Sequence, residues 1–378
     1  MKDLSILDFV RFSKLTETFS VFDSIKNEDR FVLAYSGGKD STLTAILFYR
    51  WLVNRGIKNK EVIVVHEDTQ SEFDILEHWA RQFIDQYCRK IEETGNSCRK
   101  LIITPQKNFY ALVIIGGYPA SNFHFRWCVS SLKTRPNNRA MKSFNGRFIL
   151  ITGHREEESI ERSHIIRHNM FTSCPLNQSC NAAFFLNINL KNGIKVIPIK
   201  NWTVNEVWGY LDTVKDFDLS GLYTLYNGNL EVRYGCWHCT LVRVSKATYN
   251  LPENYLWLEG LRVIYRIISD MEEFRVRKDD GKLGPLNALG RAIMLKSFPI
   301  VEELSGYRMY GLDEFKIGGY SLRQLFYEVE PEVADKLMSN AFRLKDNRYI
   351  SIRTLRETRI SPSVADKILE KAKDYPAY

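Results

Sequence analysis

Phe31-Val-Leu-Ala-Tyr-Ser-Gly-Gly-Lys-Asp-Ser-Thr42 runs a hydrophobic strand straight into a glycine-rich turn and then into a helix expected to begin near Ser41. Such a turn suits phosphate. Gly37 and Gly38 permit a tight bend with backbone N–H groups facing inward, the helix start adds partial positive charge, and Lys39 supplies a mobile cation. Backbone cradling is expected from Ser36, Gly37, Gly38 and Ser41, with Thr42 beside them. The spacing Gly-x-x-x-x-Gly-Lys-[Ser/Thr] cannot be laid over Ser36 to Ser41, so this is a phosphate loop of another kind.

Working outward, short apolar runs alternate with longer helical patterns through the first 215 residues or so. Strands are expected at 31–35, 62–66, 100–104, 148–152 and 195–199, and helices at 41–54, 72–92, 130–144 and 204–211. This alternation predicts an α/β fold with a doubly wound, parallel five-stranded sheet. Ligands of such sheets sit beyond the carboxyl ends of the strands, where Ser36, Glu67 and Gly153 fall. Beyond about residue 216 the pattern turns helical, with helices expected at 255–274, 322–329 and 363–372 and an exposed loop at 277–290. The expected division is an N-terminal helical segment 1–28, a nucleotide-binding domain 29–215 and a helical C-terminal region 216–378.

The chain of 378 residues is 44% hydrophobic and 26% charged, ample for a large buried core. No apolar run of roughly 18 or more residues occurs. The first nine residues read as an amphipathic helix without the regions of a signal peptide, so the expected location is the cytoplasm, with no membrane partner. In that compartment the seven cysteines are expected as buried thiols, metal ligands or reactive groups, not as a disulfide framework. The net charge of +8 and pI near 9.0 are compatible with a polyanionic partner.

Three further patches bear on the chemistry. His66-Glu-Asp-Thr-Gln-Ser-Glu72 follows the second strand, offering acidic and hydroxyl groups to a nucleotide or metal ion, or else capping the next helix through Ser71. Gly153-His-Arg-Glu-Glu-Glu-Ser159 follows the fourth strand; Arg155 is positioned to neutralise phosphate charge, with Glu158 and Arg162 nearby. Phe125-Arg-Trp-Cys-Val-Ser-Ser-Leu-Lys-Thr-Arg-Pro136 sets Cys128 ahead of a basic helix carrying Lys133 and Arg135.

The first stretch resembles the PP-loop, Ser-Gly-Gly-x-Asp-Ser, of ATP pyrophosphatases. With Arg-Trp-Cys, Gly-x-Arg-x-x-Glu-Ser and Pro198-Ile-Lys-Asn-Trp-Thr-Val-Asn-Glu-Val-Trp208, residues 31–212 closely resemble the PAPS reductase branch of that superfamily. The resemblance implies cleavage of ATP between its α and β phosphates, with Lys39, Asp40 and Arg155 catalytic and Mg²⁺ positioned by Asp40. Trp202 and Trp208 are expected in the core.

Arg233-Tyr-Gly-Cys-Trp-His-Cys-Thr-Leu-Val242 holds a single Cys-x-x-Cys, suited to redox chemistry, zinc or part of an iron–sulfur cluster. It resembles the Gly-Cys-Trp-x-Cys-Thr-Val-Val element of DNA phosphorothioation sulfurtransferases of the DndC and SspD type. That resemblance implies a [4Fe-4S] cluster on Cys128, Cys236 and Cys239, leaving a fourth ligand open between Cys174, Cys180 and a non-protein group. Cys88 and Cys98 are expected as inert thiols. It also implies DNA as substrate, a cysteine desulfurase as sulfur donor, other phosphorothioation-complex subunits as partners, and a role in restriction-modification defence. No cysteine follows Cys239, so the C-terminal nucleophile of sulfonucleotide reductases is missing. A tRNA-thiolating enzyme and a non-catalytic nucleotide-binding scaffold are the other readings.

Overall fold

The computed structural model describes residues 6–176, 179–187, 190, 192–342 and 349–375. Residues 1–5 of the expected N-terminal helix and 376–378 of the tail lie outside them. The chain forms two compact units. The first comprises Met1–Glu67, Ile75–Ile103 and Asn137–Val232; the second comprises Asp68–Asp74, Thr104–Pro136 and Arg233–Tyr378.

The first unit is built on a six-stranded sheet: β1 (Arg30–Ala34), β2 (Glu61–Glu67), β3 (Ser97–Ile103), β4 (Phe148–Thr152), β5 (Phe185–Leu186) and β6 (Gly193–Val196), in the order β3-β2-β1-β4-β6-β5. The five longer strands pair in parallel, and the two-residue β5 adds an antiparallel edge. β1 is central because Phe31, Val32 and Leu33 are wholly buried and pleat to opposite faces. On one face Phe31 packs on Phe48 and Trp51 of α2 (Lys39–Arg55), at 5.1 and 6.3 Å between ring centroids. On the other, Val32 joins Ile63, Met141, Phe144 and Phe148 in a core cluster. Phe22 of α1 (Ile6–Asp23) stacks edge-on against Phe48. Burying such rings contributes about 1.5–3 kcal/mol each, which is why helices cover both faces.

α2 ends at Gly56, whose left-handed φ of 61° lets its N–H close on Leu52 and Val53 carbonyls. α3 (Asp74–Glu93) buries Leu76, Trp79, Ala80, Phe83, Ile84, Tyr87 and Ile91 at helical spacing, and Phe83 stacks on Tyr35 at 4.9 Å. Trp202 and Trp208 are buried, as their setting among apolar residues predicts.

The cysteines depart from expectation. Cys88 of α3 and Cys98 of β3 form a disulfide with their Cα atoms 5.2 Å apart, and Cys174 and Cys180 form another at 5.5 Å. The turn through Gly95, with φ of 85°, folds β3 back along α3 and brings the first pair together. Neither pair is a set of inert thiols, and Cys174 and Cys180, spent on each other, are not available as cluster ligands.

The second unit is mainly helical, with Phe109–Ile114, Leu256–Asp270, Ala288–Ser305, Pro331–Ala341 and Pro362–Ala372 among its helices. The loop expected at 277–290 is instead a hairpin, β7 (Arg275–Arg277) against β8 (Leu283–Leu286), followed by the Ala288–Ser305 helix. The polar turn around Gly281 dominates the local sequence and hides the hairpin; Asn287 starts the helix by accepting the Gly290 N–H at 3.1 Å. Among the described residues no helix is long and apolar enough to cross a membrane.

Candidate functional site

The strand order reverses between β1 and β4, and the segments leaving these neighbours are the Ser36–Asp40 turn and Gly153–Glu158. A crevice at this reversal is where doubly wound sheets bind ligands. Gly37 has a φ of 77°, which a side chain would strain, and Trp79 Nε1 donates to its carbonyl at 2.9 Å. Gly153 is required for a different reason. A Cβ there would lie 2.6 Å from the Asp40 carbonyl oxygen and 2.9 Å from Thr44 Oγ1, so only glycine lets β4 approach the start of α2 this closely.

Ser41 Oγ donates to the Gly38 carbonyl at 2.9 Å and lies 3.2 Å from Ser36 Oγ, closing the turn on itself. The helix begins at Lys39, two residues earlier than expected. Thr42 is wholly buried, its hydroxyl shared between the Gly38 carbonyl and Tyr35 OH; it braces the loop and does not face a ligand. Lys39 is only 5% exposed. Its backbone N–H donates to Tyr226 OH at 3.2 Å, its ammonium lies 5.3 Å from the Tyr226 ring centre, and it stands 3.8 Å from Asp40 Oδ2.

Arg155 is also buried. Its Nε donates to Asp40 Oδ1 at 2.6 Å, and Nη1 donates to Glu157 at 2.8 Å and to the Trp202 carbonyl at 3.1 Å. Asp40 thus has a cation on each carboxylate oxygen and is engaged as a counter-ion. The carboxylate does not fit the expected role of Mg²⁺ ligand without displacing Lys39 or Arg155. Glu158 accepts the Arg155 N–H at 3.0 Å and pairs with Arg162 at 3.4 Å, so both residues shape this segment. Glu67 ends β2, half-buried.

Sequence reasoning missed His154 and Lys195. Burial, followed by Lys195 and Arg162, pushes the His154 imidazole down to about 2, and burial with Arg162 lowers Lys195 to about 8. Two cations, Lys195 and Arg162, therefore crowd a neutral His154 near the end of β4. A lysine inside the apolar strand Gly193–Val196 was the available signal. Close by, the buried Thr152 hydroxyl has no hydrogen-bond partner among the described residues, the mark of a polar group kept for a ligand or water.

The second unit carries the free thiols, Cys128, Cys236 and Cys239. Glu72 and Cys236 form an antiparallel bridge, the Trp237 N–H donates to the Ser71 carbonyl at 3.1 Å, and the Cys239 N–H turns back to the Cys236 carbonyl at 3.2 Å. Helix capping does not describe Ser71, since α3 starts only at Asp74. Ser71 Oγ instead meets His238 Nε2 at 2.9 Å, and Glu72 Oε1 accepts from the Cys236 thiol at 3.4 Å. Thr69 bonds both the Glu72 carboxylate and Cys236 Sγ, at 2.7 and 3.3 Å, and Lys133 stands 4.0 Å from Glu72. His238 lies flat on Phe109, 3.7 Å between centroids, and burial drives its pKa down to about 3.

Burial, reinforced by the Glu72 charge, pushes the Cys236 thiol far above its ordinary value, and burial raises Cys128 as well. Without a bound cation these thiols are protonated and poor nucleophiles. Arg262, fully buried, fixes the loop beyond Cys239 by donating to the carbonyls of Cys239, Val242 and Arg243. Cys128 leads into wide helical turns, Val129–Thr134, in which the Arg135 N–H reaches the Ser130 carbonyl five residues back.

Cys239 perturbs both Cys128 and Cys236, so the three thiols neighbour one another. Among the described residues, however, no group of three His, Cys, Asp or Glu side chains is drawn together as a metal site. Ser121 Oγ is buried within hydrogen-bonding reach of the Cys128 thiol.

The family model for the phosphoadenosine phosphosulfate reductase domain matches residues 30–242, more than half of the 378. The chain belongs to this family. No curated protein matches the sequence. Similar solved structures include the FMN adenylyltransferase of Candida glabrata with FMN and an ATP analogue, at 12% identity and a TM-score of 0.32, covering 56% of this chain and 58% of that one. The U34-tRNA thiolase NcsA from Methanococcus maripaludis, with its [4Fe-4S] cluster, is similar at 14% identity and a TM-score of 0.31 over 75% of this chain and 87% of that one. This chain thus spans less than two thirds of the adenylyltransferase. Within the phosphoadenosine phosphosulfate reductase domain, the family match takes in the glycine turn, Arg155 and all three free cysteines.

Proposed function

We propose that this protein is the ATP-dependent sulfurtransferase component of DNA backbone phosphorothioation. The observation that carries the reading is the set of three free thiols in a chain whose other four cysteines are tied off as disulfides. They accompany a reductase-family nucleotide fold and the Gly-Cys-Trp-x-Cys-Thr signature around Cys236.

The glycine turn holds the phosphates of ATP, with Ser36, Gly37, Gly38 and Ser41 as cradle and Lys39 as the cation that meets developing charge. Arg155 holds Asp40, and through it the start of α2, in place. A non-bridging oxygen of a DNA phosphodiester attacks the α-phosphorus of ATP, and pyrophosphate leaves. Sulfide, released by a thiol reductant from the persulfide of a separate cysteine desulfurase, then bonds to the DNA phosphorus as its bond to the AMP oxygen breaks and AMP leaves, so that sulfur stands in place of one oxygen. Cys128, Cys236 and Cys239 would hold a [4Fe-4S] cluster, which when bound would supply an iron position for sulfide, and the buried Ser121 hydroxyl beside Cys128 would donate a hydrogen bond at that thiolate.

The test compares cells with and without the gene. Nuclease-digested DNA is assayed by mass spectrometry for phosphorothioate dinucleotides, and digested tRNA for thiolated bases. Loss of phosphorothioates with unchanged tRNA is expected. Loss of thiolated tRNA with unchanged DNA overturns the reading in favour of tRNA thiolation.

A further inference from the structure

Residues 94–155 contain no Asp or Glu and ten Lys or Arg. Five of the ten, Arg99, Lys100, Lys133, Arg147 and Arg155, pair with carboxylates; within the tract, Ser121-Asn-Phe-His-Phe-Arg-Trp127 interleaves aromatic with basic side chains. Phe123 is 75% exposed and Phe125 47% exposed, while His124 and Arg126 are exposed beside them. Two large rings presented to water on one short loop call for a partner with flat apolar faces, and the exposed Arg126 and Arg135 call for one that also carries phosphates.

The loop is firmly mounted. Asn122 Oδ1 accepts the N–H groups of His124 and Phe125, both at 2.9 Å, and the Phe125 N–H also reaches the Asn122 carbonyl at 3.2 Å. Trp127, buried at the base, donates from Nε1 to the Pro119 carbonyl at 2.7 Å. Ala120 N–H donates to Ser269 Oγ, and Thr240 Oγ1 to the Ser121 carbonyl, each at 2.7 Å. Phe125 lies parallel to Tyr118, with 2° between ring planes. Since Thr240 follows Cys239 and Trp127 precedes Cys128, the platform is fastened to both cysteine-bearing segments. Arg126 and Arg135 are exposed and have no ion-pair partner among the described residues, so their charge is available to phosphates.

We infer that the 121–127 loop is a stacking platform for unpaired bases, so that the DNA segment presented to the thiols is locally opened. Phe123 and Phe125 take the faces of one or two bases, and Arg126 and Arg135 take the flanking phosphates. The inference rests on the DNA reading above. An aromatic face is indifferent to base identity, so the loop selects strand opening and not sequence.

The test uses anaerobically purified full-length protein and three fluorescein-labelled DNAs of one sequence: a duplex, a duplex with a central unpaired bubble carrying 2-aminopurine, and a single strand. Anisotropy across a salt series is expected to show the bubble and single strand bound about tenfold or more tighter than the duplex, with 2-aminopurine quenched on binding. The F123A/F125A variant, altered only at exposed positions, is expected to lose that preference and the quenching while keeping duplex affinity and salt slope; F123W/F125W is expected to retain both. Equal affinity for bubble and duplex, or a preference untouched by F123A/F125A, overturns the inference. So does preferential binding of a single-stranded RNA of the same sequence. Absence of phosphorothioates in cellular DNA overturns the parent reading separately, because that assay does not depend on the loop variants.

Discussion

Arg155 Nε donates to Asp40 Oδ1 at 2.6 Å, so the segment leaving β4 is clamped to the first turn of α2 by a largely buried ion pair. Breaking such a pair from one side leaves an uncompensated charge, whereas removing both partners does not. Arg155→Met is expected to cost about 3 kcal/mol in denaturant unfolding, and Arg155→Met with Asp40→Asn together to cost less than the single change. Pyrophosphate release should be lost in both. Lys39→Met keeps the stem against Tyr226 and removes only the charge, so it is expected to leave stability near wild type and lower pyrophosphate release by about a hundredfold or more. Wild-type turnover in Lys39→Met would remove the glycine turn from the chemistry.

Gly153→Ala probes the close approach of β4 to α2. Its Cβ would meet the Asp40 carbonyl oxygen at 2.6 Å, a backbone atom that cannot swing aside. A cost of about 1–3 kcal/mol is expected, together with reduced ATP affinity because the displaced atom belongs to the phosphate loop. Gly235→Ala, where nothing lies within 4 Å of the added carbon, serves as the control. Equal unfolding midpoints for the two variants would contradict the packing described.

What the sequence disclosed follows from how local the determinants are. The run Phe31-Val-Leu and the Gly-Gly that ends it sit in one stretch, so the five parallel strands and the loop were readable, whereas the sixth, the two-residue antiparallel edge Phe185–Leu186, is too short to carry a signature. The role of Glu72 was not readable, because its partner Cys236 lies 164 residues away. A carboxylate ahead of a helix looks like a cap until the chain brings a thiol to it. Lys39 and Arg155 were read as phosphate-facing groups, yet their burial depends on Tyr226 and Trp202, contributed from far along the chain. The Cys88–Cys98 pair was hidden for the opposite reason: composition and compartment spoke against disulfides, while the α3-to-β3 turn set the two residues side by side.

His154 gives a pH dependence of defined sign. Burial, Lys195 and Arg162 hold its folded pKa at about 2, against an ordinary value of 6.5. The unfolded chain therefore takes up the proton first, and stability from this residue is complete above 6.5 and declines as pH falls toward 2. The slope approaches about 1.4 kcal/mol per pH unit below 6. His154→Asn should flatten the unfolding free energy between pH 6 and 4 relative to wild type. Parallel curves for the two proteins would mean that the imidazole is hydrated and not confined by the cations.

The thiol site makes the last prediction, and the disulfides sharpen it. If Cys128, Cys236 and Cys239 hold the cluster, each Ser substitution should lower the iron and sulfide content of anaerobically purified protein and bleach its brown absorbance. Cys174→Ser and Cys88→Ser should leave iron unchanged, because their partners are other cysteines. Burial keeps Cys236 protonated when nothing is bound, so cluster assembly must release protons; loading the protein with iron and sulfide in weak buffer should acidify it, and less so for Cys236→Ser. Ser121→Ala removes the buried hydroxyl within hydrogen-bonding reach of the Cys128 thiol. It is expected to retain iron while shifting the cluster's reduction potential, since a hydrogen bond to a cluster sulfur stabilises the more reduced state. Zinc in place of iron after anaerobic purification, or iron lost from Cys174→Ser to the same extent as from Cys236→Ser, would refute the assignment of these three ligands.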